Sequence, residues 1–160
     1  MAFTNYETEQ LHKALLKETR HCAVTLGMKK TSVDQLTKAV GIAKGSFYKF
    51  YESKEMAFFA VLESIHSELY GVAEQALRRN GGLPTSERAA EAVLAVCRRL
   101  SDTGDMVFIE HDAKLLLQRL PEGVKRNITT MTRRTFASFW RNMTLCQGAA
   151  LLWPPRRCED

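Results

Sequence analysis

The chain of 160 residues has no apolar run long enough to cross a bilayer. The longest, Met56 to Leu62 and Ala92 to Cys97, fall far short of the roughly 20 residues that a spanning helix needs. The amino terminus, MAFTNYETEQ, lacks the basic start and apolar stretch of a secretion signal. The expected location is therefore the cytoplasm, with no membrane partner. Four cysteines, Cys22, Cys97, Cys146 and Cys158, form no Cys-x-x-Cys pair and lie near no histidine cluster, which argues against a zinc site or a disulfide scaffold. No segment sustains strand alternation, and there is no internal repeat or low-complexity tract. A nucleotide-binding glycine loop, a nucleophile elbow and a metal-ligand pair are missing too. Glu110-His111-Asp112 cannot converge as a catalytic triad, because consecutive helix positions point in different directions; it is expected as polar surface. These absences lead us to expect no enzyme, no metal and no cofactor.

What is present is helical spacing. Leu11, Leu15, Cys22 and Leu26 mark a helix from about Thr4 to Leu26, capped by Gly27. Thr31 or Ser32 caps a second helix, with Val33, Leu36, Thr37 and Val40 on its buried face, and Gly41 stops it. Lys44 to Phe50 forms a short third. Ser53 opens a long fourth, in which Phe58, Leu62, Ile65, Leu69, Val72 and Ala76 share a face until about Arg79. The run Asn80-Gly81-Gly82-Leu83-Pro84 breaks the chain. Beyond it, Ala89, Val93, Val96 and Leu100 mark one helix, and Ile109, Ala113, Leu116 and Leu120 another, ended by Pro121. The expected fold is all-α: a three-helix helix-turn-helix unit over 4–53, a connecting helix over 54–80, a helical regulatory bundle over 84–143, and an irregular tail over 144–160.

Charge is distributed unevenly. The formal net charge of +5 resolves into +4 over residues 29–54, where six lysines face Asp34 and Glu52, −4 over 55–124, and +5 over 125–160. A basic block can neutralise phosphates, and the same block is often a solvated face. Its setting narrows the choice. Two short helices joined by Gly41-Ile42-Ala43 have helix-turn-helix spacing, and glycine suits a turn that needs positive φ. The second helix would enter the major groove. With Val33, Leu36, Val40 and Phe47 turned inward, Lys44, Gly45, Ser46, Tyr48 and Lys49 are left outward. Lysine pairs with phosphate, Gly45 permits close backbone approach, and the hydroxyls donate to phosphate or base edges. On spacing alone the alternative is a helical hairpin with a solvated lysine face.

The run TSVDQLTKAVGIAKGSFYKFYESKEMAFFAVL, Thr31 to Leu62, resembles the DNA-binding region of the TetR/AcrR family of transcriptional regulators. Thr31, Ala39-Val40-Gly41-Ile42-Ala43, Gly45-Ser46-Phe47-Tyr48 and Ser53-Lys54-Glu55 carry the resemblance. Phe50-Tyr51 departs from it, since family members more often have Tyr or His followed by Phe. The resemblance implies that Thr31 and Ser32 hold phosphate, that Lys44 to Lys49 read the groove, that Tyr48 also grips backbone, and that Lys54 meets phosphate at the start of the fourth helix. Tyr51 joins this candidate set through its displaced hydroxyl. The resemblance also implies a homodimer on a two-fold operator of double-stranded DNA, repression, and release by an unidentified small-molecule effector.

The second half resembles the family only generically. Met106, Phe108, Leu115, Leu116 and Leu117 are candidate walls of a ligand pocket, and apolar residues at helical spacing are more often core. After Lys125 the composition changes, with acids absent until Glu159-Asp160, and the chain is too short for the two long helices that the family uses to dimerise. Two accounts stand open. One is a shift of reading frame near Arg126, since Asn127 to Thr132 can be encoded so that an adjacent frame reads His-Tyr-His-Asp-Asp-Glu. The other is a short natural regulator whose residues 124–143 form a basic helix with Met131, Thr135, Phe139 and Trp140 buried. The runner-up function is a helical interaction or small-ligand-binding protein whose DNA grip is vestigial because its dimer interface is truncated.

Overall fold

The fold was taken from a computed structural model, which describes residues 5–126. Every regular element among them is a helix: α1 Asn5–Thr25, α2 Val33–Val40, α3 Lys44–Phe47, α4 Lys54–Arg79, α5 Thr85–Thr103, α6 Asp105–His111 and α7 Ala113–Arg119. The all-α expectation holds. The dimer interface, the basic helix over 124–143, the tail and the frame question fall, wholly or almost wholly, outside the described residues.

Local chemistry accounts for the boundaries. Ser32 caps α2 with a capping box: its hydroxyl accepts from the Gln35 N–H at 3.2 Å, while the Gln35 side chain accepts from the Ser32 N–H at 2.7 Å. Gly41 ends α2 in the left-handed region at φ +76°, where an L side chain would be strained. Ser53 caps α4, accepting from the Met56 N–H at 3.2 Å.

Two cores share α4. The first gathers Leu15, Cys22, Leu36, Phe47, Tyr51 and Ala57 from α1 to α4. The second gathers Ala23, Met28, Phe58, Phe59, Val61, Ile65, Phe108, Leu116 and Leu120, joining α1 and α4 to α6 and α7. Met56 packs against both. A small third cluster, Ala73, Leu77 and Ala92, holds α5 along the far end of α4.

Four expectations are corrected. Helix α3 stops at Phe47 instead of Phe50, because the N–H groups of Lys49 and Phe50 turn back three residues, to Ser46 and Phe47, in a tight turn. Leu26 and Val93 are exposed (46% and 62%). Helix α1 ends before Leu26, and α5 buries Arg88 and Ala92. The single helix expected before Pro121 is two, broken at Asp112. Asp112 is itself buried, whereas Glu110 and His111 are surface as expected.

Candidate nucleic-acid interface

The α2–α3 pair stands on one apolar side and shows the other to solvent. Leu36 and Phe47 are fully buried, with Val33, Val40 and Ile42 packed beside them. A core phenylalanine truncated to alanine costs about 3–5 kcal/mol, so Phe47 is the main reason that a helix of one turn keeps its place. The Ile42 N–H donates to the Thr37 carbonyl at 2.9 Å, fixing the turn that follows Gly41. Lys44, Gly45, Tyr48 and Lys49 are then exposed and Ser46 half-buried. Tyr48 leans edge-on against Phe47, ring centroids 5.3 Å apart, and is 51% exposed. The Lys44 ammonium donates to Asp34 at 3.0 Å across the helix pair, and that bond raises its pKa above the ordinary lysine value. Lys44 is therefore paired at the surface with an exposed carboxylate.

The remaining candidates are placed differently. Tyr51 is buried, its hydroxyl paired with His12 at 2.9 Å, and burial pushes its pKa up to about 12. The Thr31 hydroxyl donates to the Gly27 carbonyl at 2.9 Å, and Ser32 is exposed at the head of α2. Lys54 is half-buried, and its ammonium donates to the carbonyls of Met28 and Thr31, each at 2.8 Å. Two of its three donors therefore brace the α1–α2 loop. The five pocket candidates do not share one wall: Phe108 and Leu116 are fully buried core, Leu115 packs at its edge, and Met106 and Leu117 are 42% and 37% exposed. The cavities described lie elsewhere, one between α4 and α5 and one between α1 and α4.

The ties between the α1–α2 loop and the second half leave no local signal in the sequence. The buried Asp112 carboxylate accepts from the Met28 N–H at 2.6 Å. Gly27 sits at φ +78°, and a Cβ there would come within 3.0 Å of Asp112 Oδ2. Arg20 of α1 donates to Asp105 at 2.5 and 2.9 Å and to Glu68 at 2.6 and 3.2 Å. Arg99 joins the same Glu68. The bonds to Asp105 and then Glu68 raise the Arg20 pKa. Burial alone would raise the Asp105 carboxyl, but hydrogen bonds from Arg20 and Thr103, together with the nearby guanidinium charges, outweigh it and leave the pKa lowered. Glu68 is lowered chiefly by the hydrogen bond from Arg20. These contacts bind partners 31 to 85 positions apart, too far for periodicity to reveal.

A short helix set on a capped partner across a left-handed glycine, with lysines and hydroxyls outward, defines a helix-turn-helix DNA-binding unit. Residues 15–61 match the family described as bacterial regulatory proteins, tetR family. Over those residues, which lie in its amino-terminal helices, the chain is similar to the TetR family. It is 29% identical over 128 residues to the uncharacterized HTH-type transcriptional regulator YdgC of Bacillus subtilis (strain 168), covering 76% of this chain and 65% of that one. It is 30% identical over 63 residues to the nucleoid occlusion factor SlmA of Actinobacillus pleuropneumoniae serotype 5b (strain L20), covering 39% and 31%. The SlmA of Glaesserella parasuis serovar 5 (strain SH0165) is 31% identical over 68 residues, covering 42% and 32%. The chain thus spans about two thirds of the first relative and about a third of the SlmA factors. No solved structure matches the chain significantly. Among the described residues no helix is long and apolar enough to cross a membrane, and no cluster of His, Cys, Asp or Glu is suited to a metal ion.

Proposed function

We propose that the protein regulates transcription by binding duplex DNA at specific sequences, with Gly45, Ser46, Tyr48 and Lys49 facing the major groove and Lys44 exchanging Asp34 for a phosphate. The outward set on a buried Phe47 anchor carries the reading. Ser32 adds a phosphate contact from the head of α2. Thr31 and Lys54 act mainly as braces, holding the loop that precedes α2, with the third N–H of Lys54 left for the backbone of the DNA. The chain acts as a homodimer on a two-fold operator and as a repressor released by a small effector. The ties from Asp112 and Arg20 to the second half supply the physical route by which such an effector changes the placement of α2 and α3.

Selection of duplexes from a random pool, followed by anisotropy titration at several salt concentrations, tests the assignment. Specific binding should weaken steeply with salt, and Lys49→Ala should lower the log–log slope by about 1. Gly45→Leu should abolish discrimination between selected and scrambled duplexes by blocking backbone approach. Equal affinity for the two duplexes, with no response to either substitution, refutes the regulator. The molar mass on the selected duplex reads the number of copies bound.

A further inference from the structure

Lys13, Leu16, Lys17 and Arg20 recur at intervals of three and four, so they form one stripe along α1. With Val61 and Ser64 of α4 they line a groove of about 210 Å³. Its floor is apolar: half-buried Leu16 packs on the core that joins α1 to α4, α6 and α7, with Val61 fully buried beneath it. Its rim is cationic, and no acidic side chain lines it. Two of the cations are already engaged, Lys13 with Glu9 at 2.6 Å and Arg20 with Glu68 and Asp105. Lys17 is exposed, and no acidic partner engages it among the described residues. One free cation beside an apolar floor complements one kind of molecule. A bare inorganic anion leaves Leu16 unused, and a plain hydrocarbon leaves Lys17 unused. The volume is below the roughly 300–1,000 Å³ of drug-sized pockets, which suits a small ligand.

We propose that the α1–α4 groove binds a small carboxylate with a hydrocarbon body, its carboxylate on the Lys17 ammonium and its body over Leu16. The site lies apart from the DNA-facing residues of α3 and from the α4–α5 cavity. It stands whether or not the chain regulates transcription. Calorimetric titration of the full chain with octanoate tests it, with acetate and octylamine as controls. Octanoate should bind saturably, one per chain, with Kd of about 1 mM or tighter. Lys17→Glu should weaken it by about tenfold or more and Lys17→Gln by somewhat less, through loss of the charge-assisted contact. Both variants alter an exposed side chain and should melt like the parent. Acetate, which has no body for the floor, and octylamine, which has the wrong charge, should not bind. Octanoate binding that is absent, unchanged in both Lys17 variants, or matched by acetate or octylamine overturns the proposal.

Discussion

Removing the Asp112 carboxylate should loosen the α1–α2 loop by a calculable amount. In Asp112→Ala the Met28 N–H, which donates over 2.6 Å inside the fold, is left buried without a partner. A hydrogen bond to a charged acceptor contributes about 1.5–3 kcal/mol, and an orphaned buried donor carries its full desolvation penalty. A loss near the top of that range, about 3 kcal/mol, is expected. Asp112→Asn keeps a neutral acceptor and should lose about half as much. Gly27→Ala places a non-glycine residue at φ +78° and brings its Cβ to 3.0 Å from Asp112 Oδ2. Left-handed strain alone costs about 1–2 kcal/mol, and the close approach adds to it. In the double variant that approach is gone, so the two costs should fall short of additivity by about 0.5–1 kcal/mol. Urea unfolding followed by far-ultraviolet circular dichroism gives all four stabilities. Additivity within about 0.3 kcal/mol, together with an Asp112→Ala loss no larger than the roughly 0.5 kcal/mol of an ordinary surface change, would refute the tether.

Three further outcomes follow from other contacts. Arg88 is 1% exposed, and among the described residues its Nε and Nη1 have no hydrogen-bond partner, while Nη2 donates to the Leu77 carbonyl at 3.3 Å; thermal melting of Arg88→Met, which roughly keeps the volume and removes the charge, should show a gain of about 1 kcal/mol, and a clear loss contradicts the account. The pKa values of Asp105 and Glu68 are lowered from ordinary values of 3.8 and 4.5, so their contribution is fully present above those values and is lost as pH falls through the lower folded ones. Melting temperatures between neutral and strongly acidic pH should therefore fall less steeply in Asp105→Asn than in the parent, and an unchanged acid limb speaks against the Arg20 network as its source. Asp34→Asn frees Lys44 from its 3.0 Å partner and should tighten duplex binding at low salt, with the gain fading at high salt; weaker binding at both would show that the pair positions Lys44 instead of masking it.

The helix-turn-helix was legible because its determinants are local. Ser32 and Gln35 cap each other three positions apart, Gly41 marks its own turn, and Leu36 and Phe47 follow from spacing. The errors share one origin, which is that helical periodicity assigns a face but not the neighbour that covers it. Val93 lies at a permitted interval and faces solvent, while Arg88, five positions before it on the same helix, is buried. Asp112 reads as the end of a polar triplet because its partner, Met28, is 84 positions away. Lys54 illustrates the same limit at the interface: its position in the motif was visible, and the two carbonyls that its ammonium serves were not. Tyr51 likewise carries a hydroxyl in the right stretch of chain, but His12 of α1 takes it into the interior.

Met56, which packs against both large clusters, bears on how portable the DNA-facing unit is. The core beneath α2 and α3 takes in Ala57, with Met56 and Ala60 at its edge, so it reaches into the first two turns of the long helix. A graft cut at Ser53 would carry the outward side chains of α3 and leave behind part of the surface on which they rest. A transplant that runs through Ile65 would bring the whole support, but it would also expose Phe58, Phe59 and Val61 as an adhesive face. The second half is thus also a cover for the helix-turn-helix, and recombining this unit with a foreign partner requires a partner that supplies that cover.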